Sequence, residues 1–135
     1  MKYKFLEHTA DVKFQAFGEN IDEVFKNSAL ALKETICGKK KIKEIKKKII
    51  KISGKDIESL LYNFLEEILY FLDADKFIIS KVKNIKIKGF ELDAVLIGDY
   101  AKNYKFTNNV KAVTYNEMFI KKQKSKWVSQ VVLDV

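Results

Sequence analysis

Few residues in this chain are equipped for chemistry. Its one histidine, His8, lies in the run His8-Thr9-Ala10-Asp11, and histidine is the side chain whose ordinary pKa suits proton transfer near neutrality. The sequence has no cysteine pair, no H-E-x-x-H helix, no glycine-rich phosphate loop and no serine in a nucleophile elbow. An acid–base step would therefore rest on His8 or on a strongly shifted carboxylate or lysine. Self-contained catalysis is not expected, and a metal-dependent hydrolase would lack an evident general base.

The second place is the last segment. Trp127, Ser129, Val131, Leu133 and Val135 alternate with Val128, Gln130, Val132 and Asp134, the period-two pattern of a strand that runs to the final residue. So apolar an end is expected to be ordered, which holds the Asp134 carboxylate and the terminal carboxylate of Val135 as neighbours. Two such anions about 4 Å apart repel by about 4 kcal/mol at an effective dielectric of about 20, unless a cation intervenes. Solvated charges, a lysine counter-ion and a hard metal ion such as Ca²⁺ or Mg²⁺ all remain open here. His8-Thr9-Ala10-Asp11 has its own plain alternative, a local side-chain turn beside a packed histidine. A fainter oddity is Asp73 with Asp75, anions that oppose the macrodipole at a helix C-terminus unless the helix stops a residue or two earlier.

The elements that must position these residues follow from periodicity. Val12, Phe14 and Ala16 alternate with Lys13, Gln15 and Phe17 in a first strand ending at Gly18. Asn20 is placed to cap a helix with Glu23 three residues on. Ile21, Val24, Phe25, Ser28 and Leu32 mark one face of that helix, and Gly38 supplies its left-handed stop. Ile42, Ile45, Ile49 and Ile52 are spaced like a helix face, yet their β-branching favours a strand, and the segment is read as a strand with a bulge. After the turn Ser53-Gly54-Lys55, Asp56 caps the strongest element. Ile57, Leu60, Leu61, Phe64, Leu65, Ile68, Phe71 and Leu72 form its apolar stripe. From Phe77 onward the pattern gives β-ribbons over 77–88, 90–99, 110–123 and 126–135. Turns fall at Lys88-Gly89 and Lys124-Ser125-Lys126, and a loop at Asn108-Asn109. Helices early and strands late predict an α+β fold: a single two-layer domain over 1–135, two main helices packed on a mainly antiparallel β-sheet.

Composition agrees with one such domain. The 135 residues are 47% hydrophobic and 33% charged, near the commonest domain size. No apolar run approaches the roughly 20 residues that cross a bilayer, and the N-terminus reaches Glu7 before any signal-peptide core forms, so a cytoplasmic location is expected. The lone Cys37 cannot pair internally and is expected to be a buried packing thiol. The net charge of +8 favours nucleic acid or an acidic partner. All basic residues are lysine, so the bidentate fork that reads guanine is missing. Eight lysines fall between Lys39 and Lys51, a run that fits either a solvated strand or a binding face.

Four blocks in order then carry a resemblance: His8-Thr9-Ala10-Asp11-Val12, Leu69-Tyr70-Phe71-Leu72-Asp73-Ala74, Val110-Lys111-Ala112-Val113-Thr114-Tyr115, and the closing Trp127 to Val135. Together they span the chain and resemble the archease family. The resemblance implies an accessory protein without catalysis of its own, working with an RtcB-type tRNA-splicing ligase. It would promote guanylylation of the ligase's active-site histidine, so that the ligase turns over on tRNA halves, with tRNA touched only indirectly or weakly. It also implies a divalent-cation site, Ca²⁺ foremost with Mg²⁺ or Mn²⁺ as alternatives, at the positions of Asp11, Asp134 and Val135. Lys111 matches a lysine linked to function in the family, and His8 and Asp73 are candidates for supporting the site or touching a partner. Asn116 departs from the histidine common after the tyrosine, so no imidazole role carries over there. The alternative reading is an RNA-binding or chaperone module that modulates a tRNA-modifying enzyme.

Overall fold

A computed structural model describes residues 1–135. The chain forms seven strands and two long helices: β1 Tyr3–Leu6, β2 Val12–Gly18, α1 Ile21–Cys37, β3 Lys46–Ser53, α2 Ile57–Asp75, β4 Phe77–Lys88, β5 Glu91–Tyr100, β6 Ala112–Gln123 and β7 Lys126–Asp134, with a short 3-10 turn at Ala101–Asn103. The helix starts follow the sequence signals. Asn20 accepts from the Glu23 amide at 2.9 Å, and Asp56 and Ser59 bond reciprocally in a capping box. Gly38 ends α1 at φ 69°, a left-handed conformation that glycine adopts without a Cβ penalty.

The α+β class holds, with helices on antiparallel strands, but the single sheet resolves into two. One has the order β1-β2-β7-β6 and the other β3-β5-β4. Each sheet is built on one hairpin: β4–β5 takes β3 on the free edge of β5, and β6–β7 takes β2 on the free edge of β7. The helices join the two: α1 packs on β1, β2 and β7 of the first sheet and on β4 of the second, while α2 packs on β6 and on β3 and β4. Phe14, Phe25, Phe64 and Phe77 are fully buried between these layers within a continuous core of 28 residues. Each such side chain contributes roughly 1.5–3 kcal/mol through burial.

Three local expectations change. Strand β1 was not anticipated, being only four residues long and irregular in its alternation. The lysine-rich segment becomes a strand only at Lys46. Before it, 39–45 is an irregular crossing anchored by buried Ile42, while Ile45 and Ile49 face solvent, so the isoleucine spacing marked no common face. Helix α2 continues through Asp73 to Asp75 rather than stopping at Leu72. The opposed dipole there is offset by Lys48, whose Nζ lies 2.7 Å from Asp75, and by Lys76, whose Nζ donates to the Asp73 carbonyl at 2.9 Å. Cys37 is fully buried as expected, and burial pushes its thiol pKa up. No helix is long and apolar enough to cross a membrane.

Candidate functional site

The ends of β2 and β7 bring the two conspicuous sequence segments together. Val12 pairs with Leu133 at the end of the antiparallel ladder, so Asp11 immediately precedes the first paired residue of β2 and Asp134 immediately follows the last paired residue of β7. On the other side of β7, Ala112 pairs with Asp134, and the Lys111 amide donates to the Asp134 carbonyl at 2.8 Å. Asp134 and the 111–112 backbone are therefore paired at the same sheet end where β2 begins after Asp11, with Val135 next in sequence. The chain arrives at this sheet end through the loop after β5, which is fastened to the end of α1. The Thr107 and Asn108 amides donate to the Ile36 carbonyl at 2.7 and 3.3 Å, and the Asn108 side-chain amide donates to the Thr35 carbonyl at 2.8 Å. These bonds satisfy carbonyls that a helix end leaves without partners.

Two clefts open on either side of Asn108. One, of about 310 Å³, is lined by Asp11, Val12, Glu34 and Thr35; the other, of about 640 Å³, by Glu66, Tyr70, Asp73, Phe106 and Lys111. Lys111 and Asp73, far apart in sequence, thus share a wall. Glu66 fixes the floor by accepting from the Val113 amide at 2.7 Å.

His8 belongs to a polar network that the sequence did not reveal. Its Nε2 lies 2.9 Å from Glu117 Oε2, and Lys13 Nζ donates to the other Glu117 oxygen at 3.0 Å. Glu117 sits in the irregular stretch between Thr114 and Phe119 of β6, at φ 55°. The His8 hydrogen bond, then Lys13, holds its carboxyl below the usual range. Gln130 ties the stretch down by donating to the Glu117 carbonyl at 2.8 Å, and Gln15 donates to Gln130 at 2.9 Å. The remaining His8 nitrogen, Nδ1, is buried without a hydrogen bond and lies 3.8 Å from Asp11 Oδ2. The one available signal for Glu117 was the loss of alternation at Tyr115-Asn116-Glu117-Met118 inside an otherwise regular ribbon.

The donor set suits a hard cation only in part through side chains. No three His, Cys, Asp or Glu side chains converge as a ready cage, so an ion would take the Asp11 and Asp134 carboxylates and main-chain or carboxylate oxygens at Val135. Both aspartates are accessible: the Asp11 side chain is 33% exposed and Asp134 lies on the surface. In a chain with 26 basic residues, no lysine forms an ion pair with either carboxylate, Lys111 included. Oxygen donors with uncompensated negative charge, beside an orphaned imidazole nitrogen, are compatible with Ca²⁺, Mg²⁺ or Mn²⁺.

The sequence and fold of this chain are shared with known proteins. Residues 3–135 match the model of the Archease protein family (MTH1598/TM1083). The chain is 36% identical over 140 residues to a protein archease of Methanosarcina mazei, covering 99% of this chain and 96% of the relative. It is 37% identical to one of Pyrobaculum neutrophilum, covering 98% and 95%. The solution structure of protein 1598 of Methanobacterium thermoautotrophicum superposes with a TM-score of 0.84 at 30% identity, covering 99% of each chain. The crystal structure of a Thermotoga maritima archease, described as a possible chaperone, has the same fold with a TM-score of 0.69 at 19% identity, covering 98% and 96%. With the whole domain matched in sequence and in fold, this chain belongs to the archease family.

Proposed function

We propose that this chain is an accessory activator of an RtcB-type tRNA-splicing ligase, acting in the cytoplasm to promote guanylylation and multiple turnover while the ligase performs the chemistry. The working corner lies at the ends of β2 and β7, where Asp11, Asp134 and Val135 would hold a divalent cation, Ca²⁺ foremost. One observation supports this reading: Asp11 and Asp134 flank the terminal Val12–Leu133 pair of the β2–β7 ladder without a lysine ion pair to either carboxylate. When bound, the ion supplies positive charge that offsets the repulsion of the neighbouring carboxylates. The chain's own residues do the rest. The Lys111 amide fixes the Asp134 main chain, His8 stands between Glu117 and Asp11, and the exposed Lys111 side chain shares a cleft with Asp73, open to a phosphate or a carboxylate of the partner.

The test is ligation under multiple-turnover conditions with the cognate ligase, with and without this protein. The expected result is a burst limited to one turnover without it and continued turnover with it; equal turnover in both would refute the reading. The alternative, an RNA chaperone for a tRNA-modifying enzyme, is favoured by the exposed lysines. It predicts an activity indifferent to Asp11→Asn and steeply weakened by salt.

A further inference from the structure

The three-stranded sheet buries one face and leaves the other open. Ile50, Val82, Leu92, Ala94 and Leu96 point into the core. On the opposite face the registers give three successive rows: Lys47, Ile97 and Lys81; Ile49, Val95 and Lys83; Lys51, Asp93 and Lys86. No part of the chain covers this face over β3, since Ile49 is 79% exposed. The lysines all lie on the outer strands, where β3 carries Ile49 between Lys47 and Lys51, and the central strand β5 carries aliphatic or acidic residues. Neighbouring strands lie about 4.8 Å apart, so the lysines form two rails about 10 Å apart, with residues repeating every ~6.8 Å along each.

We infer that this open face is a docking surface for the phosphate backbone of double-helical RNA. Charge complementarity sets the class of ligand. Lys47, Lys51, Lys83, Lys86 and Lys88 are all exposed, whereas the acids Asp93 and Glu91 lie on the strand between the rails. The intrinsic pairs are loose, Lys51 to Asp93 at 3.9 Å and Lys81 to Glu44 at 3.3 Å, and exposed pairs of this kind are readily exchanged. Net positive charge continues round the β4 edge, where Lys81 and Lys83 line a cleft with Lys2, Lys26 and the single acid Glu23. The three rows present no aromatic ring, and the exposed rings of this sheet, Phe90 and Tyr100, stand at its two ends, so successive unstacked bases have no continuous platform along the lysines, which disfavours single strands. Lysine heads without arginine forks read phosphate position, not base identity. A duplex, with its bases already stacked inside, is the polyanion this face suits. An anionic membrane is a poorer match, because the apolar residues Ile49, Val95 and Ile97 lie in a sheet and not on an insertable amphipathic helix.

The inference deepens the RNA-binding alternative and does not rest on the ligase reading, and binding rather than ligation tests it. Fluorescence anisotropy would compare a labelled RNA hairpin stem, poly(U) of equal length, vesicles containing phosphatidylserine and poly-glutamate. The stem should bind tightest, without preference for its sequence. With five phosphates neutralised at a slope of about −0.9 each, raising salt from about 50 to about 200 mM should weaken binding roughly 500-fold. The triple variant K51E/K83E/K86E should abolish most of this binding. The equal charge change K122E/K124E/K126E, on the exposed β6–β7 hairpin, should leave most of it. Lys→Gln at the same three sheet positions gives a milder loss and guards against misfolding by charge reversal, with circular dichroism confirming the fold. Equal weakening by the two charge-reversed variants, or tighter binding to poly(U), vesicles or poly-glutamate than to the stem, would overturn the inference.

Discussion

His8 Nε2 lies 2.9 Å from Glu117 Oε2, although 109 residues separate them in sequence. Glu117 thereby becomes the anion that orders both His8 and Lys13 on the outer side of the four-stranded sheet. Its carboxyl pKa is held below the ordinary 4.5, first by His8 and then by Lys13. A depressed carboxylate pKa contributes stability that is present above the ordinary value and lost as pH falls through the lowered one. The 115–118 stretch should therefore loosen only in that acid range in the wild type. In Glu117→Gln it should be loose at every pH, with little change in global unfolding because the pair is partly exposed. Amide exchange of 115–118 between pH 3 and pH 7 measures this; identical protection in wild type and variant would show that Gln130 alone holds the stretch.

A second anion, this one buried, holds the approach to the site. Asp99 is 1% exposed and accepts from the Tyr104 hydroxyl at 2.7 Å, the Tyr100 amide at 2.7 Å and the Asn103 side chain at 3.3 Å. Tyr104 in turn accepts from the Lys43 amide at 2.9 Å, pinning the irregular 39–45 crossing to the loop. The Tyr104 bond is the first cause of the lowered Asp99 pKa. Tyr104→Phe should return that pKa towards its ordinary value, so the stability that Asp99 confers is lost at a higher pH as acid is added. Acid unfolding followed by circular dichroism should begin earlier in the variant, and its melting temperature at neutral pH should fall because a buried carboxylate loses a donor. An unchanged acid limb would mean that the Tyr100 amide suffices.

How far the sequence reached depends on the range of the interaction. Caps such as Asn20 and Asp56, the left-handed Gly38 and the stripe of α2 act within four residues, and each was legible. Asp11, Asp134 and Val135 were suggested by family resemblance, and only the β2–β7 register shows that the ladder ends with Asp11 and Asp134 flanking its last pair. The Glu117 network was invisible because an exposed acid among polar neighbours looks like any solvated loop until the fold brings His8 and Lys13 to it. The split into two sheets was hidden for a related reason: alternation says which residues alternate, not which strands pair. Ile42 and Ile49 illustrate the same limit, since equal spacing placed one in the core and the other in solvent.

Lys111 separates into two functions that different substitutions isolate. Its amide holds the Asp134 carbonyl, while its exposed side chain makes no ion pair. Lys111→Ala keeps the amide, so unfolding in urea should change by less than about 0.5 kcal/mol. Ligase stimulation should nonetheless fall. Lys111→Pro removes the donor and should cost about 1 kcal/mol or more. If Lys111→Ala stimulates the ligase normally, the side chain has no part in partner contact.

The cation reading makes the strongest joint demand. Asp11→Asn and Asp134→Asn keep the shape of each side chain but remove a charge that a hard ion requires, so Ca²⁺ affinity measured by calorimetry and stimulation of the ligase should fall together. In the wild type, ion at a hundredfold excess over its Kd should stabilise the fold by about 2.7 kcal/mol, a gain that chelator reverses. In both Asn variants that thermal response should shrink or vanish. His8→Ala gives an internal comparison, since it empties the position between Glu117 and Asp11 without removing an oxygen ligand: ion binding should persist, with Asp11 less restrained and affinity reduced. Loss of stimulation in the Asn variants with ion affinity unchanged would instead assign the two aspartates to direct contact with the partner. Unchanged binding of Ca²⁺, Mg²⁺ and Mn²⁺ together with normal stimulation would remove the site from the mechanism.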